Sequence, residues 1–210
     1  MLYEAAIVAR PDAGDDIINS LKKMVEEVVK DHDGEVVIYD DWGTLTFAQP
    51  TAKGLERGRY LYFMYKANGE NNKELVRRLG INESVVKNLI VCLTDQDKKI
   101  ADIVKGYKTP FSKTKKGSAI DAKNSEDGEM EEEGDKRKFT RRKTCWFTAN
   151  KVKADWKDPG TYFWLINEFG KISPARISAV SRKHQRFATT AIKRARQMGI
   201  VSYLSDRIAH

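Results

Sequence analysis

Apolar and polar positions alternate with two different periods along the first half of the chain. Leu2–Ala9 is apolar and of a length that suits a buried strand. Pro11, Asp12, Gly14 and Asp15 then mark a turn and a helix start. Ile17, Ile18, Leu21, Val25, Val28 and Val29 recur at three- and four-residue spacing, which predicts a helix with one core-facing stripe, stopped at Asp33 and Gly34. Residues 35–39 and 45–48 read as extended, and 58–67 (GRYLYFMYKA) as a strand rich in aromatics. Asn71 or Asn72 is placed to cap a second helix through Leu75, Val76 and Leu79, ended by Gly80. Residues 85–93 supply the last strand. The order β-α-β-β-α-β predicts an α+β, ferredoxin-like sandwich of four antiparallel strands and two helices over residues 1–107.

Residues 108–135 break the pattern. They hold almost no large apolar side chain and include the run EDGEMEEEGD, too little to offset the entropy of ordering, so a disordered charged linker is expected there. A flexible chain of that length spans about 30 Å, enough for two small domains to touch. Residues 136–210 predict a small basic helical domain. Pro159 is placed to start a helix carrying Tyr162, Phe163, Leu165, Ile166 and Phe169, with Gly170 ending it. Pro174 holds Ser173 extended, and Ser181 caps a longer helix reaching about Met198. On that helix Phe187, Ala191, Ala195 and Met198 form one face, while Arg182, Arg186, Lys193 and Arg196 form another.

Charge sharpens this division. The net is +8 overall, but it is −3 over residues 1–107, −3 over 108–135 and +14 over 136–210. Such asymmetry points to nucleic acid or an acidic surface as partner. No apolar run approaches the roughly 20 residues of a spanning helix, and no signal peptide is legible at the start, so no membrane association is expected. Cys92 and Cys145 are read as free thiols in a reducing compartment, which favours the cytoplasm.

The stretch SRKHQRFATTAIKRARQMG contains no acid, whereas surface helices usually pair their charges four residues apart. Uncompensated guanidinium and ammonium groups suit phosphate oxygens. KRKFTRRKTCWF adds a second basic patch with Arg141, Arg142 and Lys143, where Trp146 and Phe147 are read as anchors of the domain rather than base-stacking groups. RGRYLYFMY is similar to the aromatic strand of an RNA-recognition motif, except that Arg59 stands where Phe or Tyr belongs. Tyr60, Tyr62 and Tyr65 suit either sheet-face packing or a protein interface, and the net acidity of this segment favours the interface. His32, His184 and His210 have no Cys or acid at ligand spacing, so no metal is expected. No glycine-rich phosphate loop and no acid/base pair is legible, so neither a cofactor nor an enzyme is expected.

Residues 1–107 resemble bacterial small-subunit ribosomal protein six, through YEAAIVARP, DDWGTLTFAQPTAKGLERGRYLYF and LVRRLGINESVVKNLIV. Residues 136–207 resemble small-subunit ribosomal protein eighteen, through RKTCWFTA, ADWKD, FGKISPARIS and HQRFATTAIKRARQMGIVSY. The resemblance implies a natural fusion that serves as a structural constituent of the small subunit. Its two domains would pair in cis on the central domain (platform) of small-subunit rRNA, beside neighbouring small-subunit ribosomal proteins. It also implies RNA contact through Arg176, Arg182, Lys183, Gln185, Arg186, Lys193, Arg194 and Arg196, with Lys53 and Arg59 matching basic positions of the first family. Ala179 stands where the second family usually has glycine, so that turn is expected to be altered. The rival functions are a non-ribosomal RNA-binding regulator using the sheet directly, and a ferredoxin-like enzyme with a basic tail. The expected setting is the cytoplasmic ribosome, with an organellar ribosome also open.

Overall fold

The computed structural model describes residues 1–51, 54–94, 97–111 and 145–204. Its elements are β1 (Leu2–Ala9), α1 (Asp15–Asp31), β2 (Glu35–Thr46), β3 (Arg57–Lys66), α2 (Gly69–Ile81), β4 (Val85–Thr94), α3 (Asp97–Gly106), α4 (Trp146–Ala149), α5 (Ala175–Ser178) and α6 (Arg182–Met198), with short 3₁₀ turns at Pro159–Thr161 and Phe163–Leu165. The strands form one antiparallel sheet in the order β2-β3-β1-β4, the ferredoxin-like arrangement. The predicted linker lies outside the described residues apart from 108–111.

β1 is buried along its whole length because both faces of the sheet are covered. Successive side chains point to opposite faces, so parity sorts the core. Tyr3, Ala5, Ile7 and Ala9 of β1 and Leu61, Phe63 and Tyr65 of β3 meet Ile18, Leu21, Val25, Val28 and Val29 of α1 and Leu75 and Leu79 of α2. Leu2, Ala6, Val8, Tyr60, Tyr62 and Met64 face the other way. There they form a second core with Ile100 of α3 and with Phe147, Trp156, Tyr162, Leu165, Ala188, Ala191, Ile192, Ala195 and Met198.

Several sequence expectations need correction. The extended stretch 35–39 and the first half of 45–48 belong to one twelve-residue strand ending at Thr46, because the register shift between Asp41 and Gly43 is absorbed as a β-bulge with Gly43 at φ +77. α2 starts at Gly69 behind Asn68, so neither Asn71 nor Asn72 caps it. Asn71 is fully buried, and Asn72 instead accepts a hydrogen bond from the Tyr65 hydroxyl at 2.7 Å. No element was expected after β4, yet α3 forms there. Its Tyr107 flank stacks on Tyr62 at 4.9 Å, donates to Asp40 at 2.7 Å and accepts from Trp42 at 3.0 Å.

The helix expected from Pro159 is two 3₁₀ turns, which leave Phe163 and Phe169 exposed rather than packed. Phe187 is also exposed, because the buried stripe of α6 is centred on Ala188, Ala191, Ile192 and Ala195, rotated away from it. Ala179 keeps the left-handed turn at φ +56 without glycine.

Candidate nucleic-acid interface

α6 owes its definition to both of its ends. The Ser181 side chain caps the first turn by accepting from the His184 amide, and Gly199 ends the helix at φ +80. A side chain at 199 would meet the Phe47 ring at 2.9 Å, so glycine also allows the helix end to sit close against the loop after β2. With one stripe buried, the opposite side carries Arg182, Lys183, Arg186 and Lys193, all exposed and none in an ion pair among the described residues. Arg176, on α5, is exposed as well, and Arg194 is half-buried on the flank. A helix of seventeen residues without a carboxylate thus presents a row of cations to solvent.

The remaining predicted contacts divide. Arg196 is half-buried and braces the chain end, with its guanidinium donating to the Ser202 and Gly170 carbonyls and lying over the Tyr203 ring at 5.7 Å. Gln185 donates to the Ser173 carbonyl at 2.8 Å, fixing the 171–175 link to α6 rather than facing solvent. Arg59 is committed within the first half. It pairs with Asp41 at 2.7 Å and Asp15 at 2.8 Å, and those hydrogen bonds raise its pKa above the ordinary arginine value. Lys53, Arg141, Arg142 and Lys143 lie outside the described residues.

Of the three tyrosines assigned to a protein interface, Tyr65 is misplaced. It faces α1 and α2 in the first core, stacked on Tyr3, because an odd position on β3 points away from Tyr60 and Tyr62. Tyr60 and Tyr62 do face the second half, and both are closed off from solvent. The Tyr60 hydroxyl donates to the Met198 carbonyl at 2.6 Å. The Tyr62 hydroxyl donates to Glu4 at 2.9 Å, and burial pushes both phenols to higher pKa.

Glu4 is the residue that sequence reasoning missed. Only 2% exposed, it accepts from Trp156 Nε1 at 2.8 Å and from Lys157 Nζ at 2.7 Å besides Tyr62. Burial works against the Lys157 charge, but the carboxylates of Glu4 and Asp155 outweigh it and its pKa is raised. The Ala48 amide donates to the Gly199 carbonyl at 2.8 Å, and Trp42 packs on Trp156 at 6.0 Å. The legible signal was a lone acid inside an apolar strand.

Residues 2–92 match the family model described as Ribosomal protein S6, and residues 150–201 match that described as Ribosomal protein S18. Among curated relatives, small ribosomal subunit protein bS18 of Geotalea daltonii is 54% identical over 75 residues, covering 35% of this chain and 82% of the relative. The protein of the same name from Anaeromyxobacter dehalogenans (strain 2CP-1 / ATCC BAA-258) is 49% identical over 74 residues, covering 35% of this chain and 56% of the relative. The chain spans about half the length of the Anaeromyxobacter relatives it matches. The crystal structure of 30S ribosomal protein S6 from Thermotoga maritima overlays with a TM-score of 0.43 at 18% identity, covering 49% of this chain and 95% of that one.

Proposed function

Because the chain belongs to the ribosomal protein S18 family over its C-terminal part and carries a ribosomal protein S6 domain ahead of it, we propose that it is a structural, non-enzymatic constituent of the small ribosomal subunit. In this reading residues 1–107 and 136–210 are two domains joined by 108–135. They pair in cis and bind the central domain of small-subunit rRNA beside neighbouring proteins of the platform. The observation that carries it is α6, whose acid-free face holds Arg182, Lys183, Arg186 and Lys193 exposed and, among the described residues, outside any ion pair. Such groups neutralise crowded phosphates and read A-form geometry rather than base sequence. The hydrogen bonds of Glu4, Tyr60 and Ala48 to the second half support pairing in cis. A tether makes that pairing intramolecular, at an effective concentration on the order of millimolar.

The test is a salt titration of the full chain on a central-domain rRNA fragment. Replacing Arg182, Arg186 and Lys193 together by Ala should weaken binding and flatten the slope of log K against log salt by roughly 2–3, at about 0.7–0.9 for each phosphate no longer neutralised. An unchanged slope overturns the assignment of α6. The regulator alternative needs a free sheet face, and Tyr60 and Tyr62 are buried here.

A further inference from the structure

A cleft of about 400 Å³ opens where the end of α6 meets the edge of the sheet. That volume lies within the roughly 300–1,000 Å³ of small-ligand sites. The first half contributes Arg10, Glu83 and Lys87, and the second contributes Arg196, Val201 and Tyr203. Three cations therefore face one carboxylate, and neither Arg10 nor Lys87 has an ion-pair partner among the described residues. Lys87 instead lies over the Phe47 ring at 5.5 Å. Burial lowers its pKa below the ordinary lysine value, and an arriving anion would oppose that shift by favouring the charged form. Leu55, Val85 and Val201 supply an apolar lining, and the Tyr203 ring with Arg196 over it adds a flat stacking surface.

The cleft is also continuous with the RNA-facing helix. Arg182, Arg186, Lys193 and Arg196 share one side of α6, and the fourteen-residue advance from the first to the last covers about 21 Å. A backbone tracking that row is led to the mouth of the cleft. We propose that the cleft receives one unpaired nucleotide of the RNA held on α6, with Arg10 and Lys87 on its phosphate and the Arg196–Tyr203 pair against its base. Phosphate, apolar floor and stacking surface together match a nucleotide better than a bare anion. This rests on the reading of α6 given above. It makes the site a property of the paired halves, since each supplies part of it.

The test uses the full chain and two short RNA duplexes that differ only by one bulged nucleotide, followed by fluorescence anisotropy. The protein should bind the bulged duplex about tenfold or more tightly than the blunt one, the worth of one stacked base with its phosphate contacts. The double variant Arg10→Ala, Lys87→Met should lose that preference and keep its affinity for the blunt duplex, which also shows that it is folded. Equal wild-type affinity for the two duplexes, or a preference that survives in the variant, overturns the proposal alone. Binding of neither duplex overturns the α6 reading and this one with it. Competition by uridine monophosphate would show that a free nucleotide also satisfies the cleft, whereas a bulge preference without such competition confines the site to nucleotides within a chain.

Discussion

Glu4→Gln isolates the polar contact between the two halves with little change of shape. The carboxylate is 3% exposed on its side chain and accepts from Tyr62, Trp156 and Lys157 at 2.9, 2.8 and 2.7 Å. An amide leaves one acceptor oxygen and turns an NH₂ group toward at least one of those donors. Removing one partner of a buried pair costs about 3–5 kcal/mol when the other is stranded. Here Lys157 retains Asp155 at 3.2 Å and keeps 15% of its side chain in water, which lowers the expected loss to about 2–3 kcal/mol. Urea unfolding of the full chain, followed by tryptophan fluorescence, reads this directly. Lys157→Met alone and with Glu4→Gln completes a cycle whose coupling should be about 1–3 kcal/mol. The raised pKa of Lys157 sets the pH window. Its contribution is fully present below the ordinary value near 10.5 and is lost only as pH rises through the higher folded value, so the coupling should persist from pH 7 to 9. A Glu4→Gln change below about 0.5 kcal/mol, or strict additivity with Lys157→Met, refutes the reasoning.

Three further outcomes are expected. Gly58→Ala should destabilise the chain by about 1–3 kcal/mol in the same assay, because a Cβ there would lie 2.5 Å from Val8 Cγ1 and 2.7 Å from Phe47 Cζ; a neutral result would mean that the packing yields. Ala179→Gly should stabilise by about 0.5–1 kcal/mol, since relief of left-handed strain at φ +56 exceeds the added entropy of glycine in the unfolded chain, and a lowered midpoint would contradict this. Burial raises the Cys145 thiol, but hydrogen bonds from Ser181, Thr148 and His184 outweigh it and hold it near 6. Alkylation of Cys145 should therefore reach half its maximal rate near pH 6 and remain fast above it, while a midpoint beyond pH 8 would show those hydrogen bonds to be ineffective.

The sheet and α1 were legible because their periods are unbroken, and the acid-free α6 stood out for the same reason. The failures have separate causes. Tyr65 was grouped with Tyr60 and Tyr62 although strand parity alone sends it to the opposite face. Ile100, Ile103 and Val104 of α3, with Tyr107 just past its end, follow helical spacing, but the stripe is short and comes soon after a strand. The aromatics after Pro159 have helical spacing too, yet Tyr162 and Leu165 are buried by 3₁₀ turns that leave Phe163 outside. Arg196 shares a row with Arg182 and Lys193, and only the folded chain end, through the Ser202 and Gly170 carbonyls, sets it apart.

The hydrogen bond from Tyr60 to Met198 joins positions 138 residues apart. At roughly 5–20 residues per second, synthesis places about 7–28 s between the two ends of that contact. For that interval the first sheet face can close over α1 and α2 while Tyr60, Tyr62 and Met64 on the other have nothing from the second half to cover them. A nascent chain in this state displays an aromatic surface to whatever is nearby. Joining the two halves in one polypeptide limits that exposure to the time of elongation, whereas a separately made partner would have to arrive by diffusion at its own abundance.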